Sequence, residues 1–261
     1  MRVSAGLEGR SDELAVLARD FDAMADQLKA TRAARTRLLR DLSHELRSPL
    51  ARMRVAVGLA RQPAADTGRQ LDRLEREIER LDAMIGQILQ LARLRSADDG
   101  YEREVLSLDE LLADVVQDAN FEGAAKCCTV NLVAAGGARV LANRELLRSA
   151  VENVLRNAVR YAPPGSAIDV AVRTSGAGVE IAVEDRGPGV AEAELARIFE
   201  PFYRIAEARD RDSGGEGIGL AITAQVMRSH GGEATAVNRP GGGLTVRLRL
   251  PAAAPDRAAG A

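Results

Sequence analysis

The spacing of apolar residues constrains the first third of the chain more than any other feature. Within residues 71–92 they follow one another at intervals of three and four, as in a coiled-coil seam. These positions are Leu71, Leu74, Ile78, Leu81, Ile85, Ile88 and Ala92. A shorter seam with the same spacing runs through Leu14, Leu17, Phe21, Met24 and Leu28. The pattern predicts long helices that associate through one apolar face.

A third apolar stripe lies over residues 36–60, out of phase with the shorter seam. Its members are Leu39, Leu42, Leu46, Met53, Ala56 and Ala60. Leu28 and Leu39 are eleven residues apart, so the heptad phase shifts by four between them. A shift of this kind predicts a joint between two coiled-coil modules, here between helices over 14–28 and 36–60.

Residues 61–70, "RQPAADTGRQ", contain Pro and Gly and separate the stripe over 36–60 from the seam over 71–95. This interruption predicts a hairpin of two helices. One hairpin alone leaves its apolar seam exposed. We therefore expect a homodimer in which two hairpins form a four-helix bundle.

The character of the chain changes near residue 100, where "SADDGYERE" predicts a polar linker and "LSLDELLADVVQDAN" an amphipathic helix. Short, mostly alternating segments predict strands: "CTVNLV", "RVLA", "AIDVAVRT", "GVEIAVED", "GEATAVN" and "LTVRLRL". Further helices are predicted at "NRELLRSAVENVLRNAVRYA", "AEAELARIF" and "GIGLAITAQVMRSH". This half is expected to be an α/β sandwich with helices on one face of a mixed sheet.

Composition narrows the class of protein. Hydrophobic residues make up 46% of the chain but aromatic residues only 3%, which predicts an aliphatic core. The net charge of −2 gives no basic surface for nucleic acid. No apolar run approaches the roughly 18 residues of a membrane span, so we expect the chain as given to be soluble. Adjacent Cys127 and Cys128 predict buried structural thiols in a reducing compartment, with redox sensing as the alternative.

The stretch "SHELRSPL" carries one of the two histidines. In the frame of the leucine stripe, His44 falls on the exposed helix face, with Glu45 beside it and Ser48 one turn further on. An exposed imidazole next to a carboxylate can act as a nucleophile with its base, and the Ser48 hydroxyl can hold a water. Pro49 should bend the helix there. The alternative is an ordinary surface histidine.

The stretch "ENVLRNAVRY" places Asn153, Asn157, Arg160 and Tyr161 on one helix face. Two amides on a face otherwise suited to burial need partners. Mg²⁺ and phosphate oxygens would supply them, a cationic Arg160 would add charge, and Tyr161 can stack on a base. Asparagines that merely fill a helix surface are the alternative.

Two Gly-containing loops suggest a ligand. In "EDRGPGV", Gly187 and Gly189 allow a tight turn, and Asp185 can accept a hydrogen bond from an exocyclic amine. In "SGGEGIGLAI", glycines free the backbone amides at a helix N-terminus, which favours an anion. These glycines are Gly215, Gly217 and Gly219. The second loop fits neither a Walker A nor a dinucleotide fingerprint.

Between these loops lies "IFEPFYR", with three of the seven aromatic residues, which are expected to pack on the core. Arg204 at its end is a candidate phosphate ligand. The charged segment that follows, "IAEARDRD", predicts a mobile cover over a nucleotide.

Taken in order, "SHELRSPL", "ENVLRNAVRY", "EDRGPGV", "IFEPFYR" and "GGEGIGLAI" resemble the H, N, G1, F and G2 boxes of bacterial two-component sensor histidine kinases. The resemblance covers about residues 40–250. "GRSDELAVLARDFDAMADQL" is similar to the second helix of a HAMP linker. The phrases "SPLAR" and "ENVLRNA" are similar to those of Cpx-type envelope-stress kinases.

The resemblance implies a domain organisation. Residues 1–35 would be the C-terminal part of a HAMP linker, and residues 36–98 a helical dimerisation and histidine phosphotransfer (DHp) domain forming a dimeric four-helix bundle. Residues 99–252 would be an ATP-binding α/β sandwich of the GHKL or Bergerat class, and residues 253–261 a disordered tail. Relatives of this type carry transmembrane helices upstream, so we expect the native protein in the bacterial inner membrane with this portion cytosolic.

The resemblance also implies a reaction. His44 would be phosphorylated by Mg-ATP, with Glu45 as general base, and would pass the phosphoryl group to an aspartate of a response regulator docked on the surrounding helix face. Ser48 stands where the family usually has Thr and would position water for dephosphorylating that regulator. Ser retains the hydroxyl and lacks the methyl group.

Nucleotide-site roles follow by similarity. Asn157 would bind Mg²⁺ with Asn153 close by, Arg160 would contact phosphates where the family often has Lys, Tyr161 would flank adenine, and Asp185 would bind the adenine amino group. The remaining members of the predicted site are Gly187, Gly189, Arg204, Gly215, Gly217, Gly219 and Leu220.

One departure from the family pattern is Glu216, which stands where Thr or Ser is common. A carboxylate near a triphosphate is unfavourable, so we expect slightly weakened ATP binding. Two other classes remain open: an ATPase or serine kinase of the gyrase, Hsp90 and anti-sigma-factor class, and a scaffold that binds ATP without catalysis. The first predicts the ATP-binding half without "SHELRSPL".

Overall fold

The computed structural model describes residues 13–62, 66–96, 101–134, 136–175, 178–205 and 216–252. The chain divides into two compact units, Met1–Leu81 and Asp82–Ala261. The division falls inside a helix.

The first unit consists of helix α1, Glu13–Ala60, and the beginning of helix α2, Thr67–Ser96. We predicted separate helices over 14–28 and 36–60, but α1 is continuous across that phase shift and through Pro49. The reason is that neither Gly nor Pro lies between residues 28 and 49, so the shift changes the phase of the side chains and leaves the backbone hydrogen bonds intact. Asp66 begins α2 by accepting a hydrogen bond from the Arg69 amide at 3.1 Å.

The described residues of the predicted seam on α1, and about half of those of the seam on α2, are exposed in the single chain. On α1, Leu17, Phe21, Met24 and Leu28 are exposed, Leu28 at 72%. On α2, Leu71, Ile78 and Ile85 are exposed as well. Such rows of large apolar side chains mark a surface that another chain can cover, in keeping with the dimer expected from the spacing.

Among its described residues, the second unit contains the end of α2, three further α-helices and seven strands. The helices are α3, Leu108–Gly123; α4, Arg144–Tyr161; and α5, Gly219–Ser229. The strands are β1, Glu104–Ser107; β2, Thr129–Ala134; β3, Arg139–Ala142; β4, Ala167–Ser175; β5, Gly178–Glu184; β6, Glu233–Asn238; and β7, Leu244–Pro251.

Five of these strands form a mixed sheet in the order β2-β4-β5-β7-β6. Strands β2 and β4 are parallel, and the other neighbours are antiparallel. Strands β1 and β3 form a separate antiparallel pair. We missed β1 because its four residues lead directly into α3 and carry too little alternation to separate them from that helix.

The core between helices and sheet is aliphatic, as the composition predicted. Leu112, Leu147, Ile168 and Leu248 are fully buried there. Each such side chain contributes about 1.5–3 kcal/mol to folding. Two N-caps set the helix starts: Ser107 accepts from Glu110 N at 3.5 Å, and Asn143 accepts from Leu146 N at 3.0 Å.

Two predictions of local structure were wrong. "AEAELARIF" forms two 3-10 turns, Glu192–Glu194 and Arg197–Phe199, rather than an α-helix. Pro201 follows closely and disfavours helical backbone in the residue before it. Cys127 is exposed in a left-handed conformation ahead of β2, and only Cys128 is buried.

No helix in the described ranges is long and apolar enough to cross a membrane.

Candidate functional site

His44 lies on an open face of α1. Its side chain is exposed, as is Ser48 one turn later, while Glu45 is half-buried and Pro49 is buried. Within the described part of the chain, no residue forms a hydrogen bond with the His44 ring. The exposure of His44 agrees with its predicted heptad position.

The Ser48 hydroxyl has a partner that the sequence analysis did not identify. Arg52, one turn beyond, donates from Nη1 to Ser48 Oγ at 2.7 Å. The same guanidinium binds Glu77 of α2 through Nε and Nη2. Arg52 follows Ser48 by four residues, a spacing that indicates proximity on a helix, but nothing local pointed to Glu77.

Two amide side chains of α4 lie on one helix face, and one of them, Asn153, faces the beginning of α5. Asn153 and Asn157 are half-buried one turn apart on α4, and none of the described residues binds their side chains. Gly219, the first residue of α5, lies against this face, since a Cβ atom there would stand 3.0 Å from Asn153 Oδ1. Thr223 joins the helices by donating from Oγ1 to Ala150 O at 3.0 Å.

Asp185 follows β5 and is 5% exposed. Its Oδ1 accepts from the backbone amides of Gly187, at 2.8 Å, and Leu244, at 3.1 Å. Burial raises the pKa of Asp185 above its usual value, although these two bonds and the Arg239 charge oppose the rise. No donor from the described residues reaches Oδ2. One oxygen of a buried carboxylate therefore remains for a ligand.

The Asp185 loop touches the end of α4. A Cβ atom on Gly187 would stand 3.0 Å from both Asp185 Oδ1 and Tyr161 O, so only glycine fits without displacement. Gly189 has a φ of 75°, which favours glycine. The Tyr161 ring is 36% exposed, and the Arg160 guanidinium lies 5.5 Å from its centroid.

The aromatic segment lies beside α5, and of its three aromatic residues, which we predicted to pack on the core, Phe199 does so. Phe202 N donates to Gly217 O at 2.8 Å. Tyr203 donates to Glu194 Oε1 at 2.6 Å and lies beneath the Arg197 guanidinium.

The structure describes some of the remaining predicted site residues and not others. Arg204 is half-buried, and Leu220 packs against the core. Gly217 has a φ of 73° beside the aromatic segment. Gly215 and, except for Ile205, the predicted cover over 205–212 lie outside the described residues.

His230, the second histidine, is buried and binds backbone groups. Its Nε2 accepts from Asn143 N at 3.0 Å, and its Nδ1 lies 2.8 Å from Val226 O, a bond that requires the proton on Nδ1. Burial lowers the pKa of His230 and keeps the ring neutral. This histidine links the N-cap of α4 to the end of α5, and we assign it no chemistry.

Two family models match the chain. Residues 34–97 match the His Kinase A (phospho-acceptor) domain, and residues 142–254 match the histidine kinase-, DNA gyrase B- and HSP90-like ATPase. The chain is 36% identical over 247 residues to the sensor histidine kinase CpxA of Escherichia coli (strain K12), an alignment that covers 94% of this chain and 53% of CpxA. The chain thus spans about half the length of the curated relatives it matches.

Solved structures agree on the fold. Acinetobacter baumannii histidine kinase AdeS superposes with a TM-score of 0.66 at 17% identity, covering 81% of this chain and 98% of AdeS. Full-length ShkA in complex with AMPPNP superposes with a TM-score of 0.62 at 24% identity, covering 84% of this chain and 46% of ShkA.

The class of protein is thereby defined: a helical phospho-acceptor region followed by an α/β ATP-binding domain of the GHKL type. The chain belongs to the sensor histidine kinases of two-component signalling, as the order of its five motifs indicated.

Proposed function

We propose that this chain autophosphorylates His44 from Mg-ATP and transfers the phosphoryl group to an aspartate of a response regulator. The observation that carries the proposal is the open His44 ring on α1, in a chain that also holds the Asn153, Asn157 and Asp185 site. A GHKL ATPase alone does not require an exposed histidine on a separate helix, and neither does a scaffold that binds ATP without catalysis.

The nucleotide site is proposed from its unused polar atoms. The free Oδ2 of Asp185 would accept the adenine amino group, and Tyr161 would stack on the ring. The amide oxygens of Asn153 and Asn157 are hard ligands that bind no other described residue, which fits Mg²⁺, with Asn157 as its ligand. The ion would neutralise phosphate charge when bound. The Gly219 end of α5 and the charges of Arg160 and Arg204 would hold the phosphates.

The chemistry of His44 requires a neutral ring. One ring nitrogen attacks the γ-phosphorus in line, an N–P bond forms, and the P–O bond to ADP breaks. The other nitrogen is left with a proton that Glu45, the adjacent carboxylate, would accept. The phosphoramidate then donates its phosphoryl group to the regulator aspartate.

Three further parts of the proposal rest on the resemblance and the exposed surface. The apolar seams of α1 and α2 would pair in a homodimer. Ser48 would position the water that dephosphorylates the regulator. We also propose that residues 36–98 act as the DHp domain and residues 99–252 as the ATP-binding domain, on the cytosolic side of a membrane.

The test is labelling with γ-phosphate-labelled Mg-ATP. Wild type should acquire acid-labile, base-stable label, and His44→Gln should acquire none while still binding ADP. Label that persists in His44→Gln would show that another residue is the acceptor. Release of free phosphate without protein label would favour the ATPase class, and neither product would favour the scaffold.

A further inference from the structure

Arg239 lies in the turn between β6 and β7, directly against Asp185. The turn is closed by Arg239 N donating to Gly243 O at 3.0 Å and Gly242 N donating to Arg239 O at 3.2 Å. A Cβ atom on Gly243 would stand 2.2 Å from Asp185 O, so the two backbones touch. The φ of Gly243 is 104°, which also favours glycine.

The Arg239 side chain binds the two residues at the end of β5. Its Nη1 donates to Asp185 O at 2.8 Å, and its Nε lies 3.2 Å from Glu184 Oε2. The Arg239 and Glu184 side chains are only 23% and 27% exposed. Screening by solvent is therefore limited, and the guanidinium has one defined position.

The residue before Arg239 holds the other end of the same loop. Asn238 Oδ1 accepts from Val190 N at 2.9 Å, and Asn238 Nδ2 donates to Val190 O at 2.6 Å. Asn238, the last residue of β6, and Arg239, the first residue of the turn, thus fix the two ends of the loop 185–190. Between these ends, the Asp185 carboxylate is oriented by the Gly187 and Leu244 amides.

We propose that Arg239 is a positioning residue for nucleotide recognition: it fixes the Asp185 main chain so that the free carboxylate oxygen points at the purine 6-position. This inference rests on the proposed ATP site. It adds a residue outside the five sequence motifs. The alternative is that Arg239 only stabilises the edge of the sheet, as any Arg–Glu pair would.

Arg239 also acts on the Asp185 charge. Its guanidinium opposes the effect of burial and lowers the pKa of Asp185 relative to a site without it. The neighbouring charged side chains face other partners: Glu184 binds Arg239, and Arg186 lies 3.3 Å from Asp169 on β4. The ionised carboxylate is the form that accepts from an amino group, so its affinity for adenine should fall as the pH drops through this pKa.

The experiment compares binding of ADP and inosine diphosphate by titration calorimetry in the full chain. Adenine presents an amino donor to Asp185 and hypoxanthine a carbonyl acceptor, so wild type should prefer ADP. Arg239→Met should weaken ADP binding about tenfold with little effect on inosine diphosphate. The pH at which ADP affinity is half lost should rise. Arg239→Lys, which retains the charge, should restore the pH midpoint and part of the affinity.

The matched control is Arg249→Met. Arg249 lies on β7 and binds Glu180 at 2.8 Å and Glu233 at 3.1 Å, so its loss removes ion pairs of the same sheet that do not touch Asp185. Arg249→Met should keep the preference for ADP and the pH midpoint. If Arg239→Met also keeps the preference for ADP and the pH midpoint, Arg239 is not a positioning residue, and the proposed ATP site still stands. A wild type that binds neither nucleotide, or shows no preference, would overturn the proposed site and this inference with it.

Discussion

The Arg52 guanidinium binds both carboxylate oxygens of Glu77, with Nε 2.6 Å from Oε1 and Nη2 2.8 Å from Oε2. This fork joins α1 to α2, and its remaining nitrogen donates to the Ser48 hydroxyl. Because Arg52 donates, the hydroxyl proton of Ser48 is not consumed by this contact. The proposed phosphatase residue is therefore held in place by an ion pair that spans the two helices.

Removing the Glu77 charge should destabilise the chain. The Glu77 and Arg52 side chains are 14% and 32% exposed, so Glu77→Gln should lower the free energy of unfolding by about 1 kcal/mol. Urea unfolding at neutral pH measures this. Glu79→Gln is the control, since Glu79 is exposed on the same helix and has no ion pair among the described residues. An equal loss in both variants would contradict the prediction.

The same pair should make stability depend on pH. The side-chain hydrogen bond from Arg52 lowers the pKa of Glu77. The contribution of the Arg52–Glu77 pair to the free energy of unfolding is therefore complete above the ordinary Glu pKa. It is lost as the pH falls through the depressed pKa of Glu77. Urea unfolding between neutral and acidic pH should show a steeper loss for wild type than for Glu77→Gln. Parallel curves would show that Glu77 gains nothing from Arg52.

Ser48→Ala should separate the two proposed activities. Loss of the hydroxyl should slow dephosphorylation of a receiver protein by about tenfold or more, since one general acid–base or water-positioning contact is removed. Autophosphorylation of His44 should stay within about twofold of wild type, and Ser48→Thr should retain both activities. The probe is a receiver protein that takes label from His44. Unchanged dephosphorylation by Ser48→Ala would refute the role of this hydroxyl.

Asn157→Ala should remove the effect of Mg²⁺ on nucleotide binding. Wild type should bind ADP more tightly with Mg²⁺ than without it, and the variant should lose about tenfold in affinity only when Mg²⁺ is present. Titration calorimetry with and without the ion measures both. Asn131→Ala, on the exposed side of β2, should behave like wild type. A loss in Asn157→Ala that is the same without Mg²⁺ would argue against a metal ligand.

Gly187→Ala should weaken ADP binding without unfolding the domain. The added methyl would meet Asp185 Oδ1 and Tyr161 O at 3.0 Å, and the second of these is backbone that cannot rotate away. Gly86→Ala on α2 is the control, because its new methyl would meet no described atom within 4 Å beyond the local backbone of its own helix. That control should keep ADP affinity and gain up to about 1 kcal/mol in helix stability. Wild-type affinity in Gly187→Ala would show that the contact is not needed.

Glu216→Thr should raise ATP affinity by a few fold, because it removes a carboxylate from the predicted phosphate side of the site. Glu216→Gln separates charge from size and should give a similar gain. Competition against a fluorescent nucleotide measures both. Unchanged affinity would mean that Glu216 does not sense the phosphates.

Local periodicity was sufficient for part of the site and for most helices and strands. The spacing of four residues between Asn153 and Asn157 placed both amides on one face of α4, and the leucine frame placed His44 on an exposed face of α1. Helix propensity gave a wrong prediction in one segment. The stretch 191–199 has helix-forming composition but forms two short turns ahead of Pro201.

The family and the exposure of His44 could be predicted from the sequence, because each motif and the heptad frame consist of residues close together in the chain. The contacts between residues far apart in the chain became known only from the tertiary structure. Arg239 reaches Asp185 across 54 residues, Leu244 reaches it across 59, and Arg52 reaches Glu77 across 25. The first two contacts follow from the strand order β5-β7-β6, and the third from how α2 turns back beside α1. The hairpin itself was predicted from the interruption over 61–70, but neither the register of α2 against α1 nor the strand order was, since both arise from the packing of whole elements.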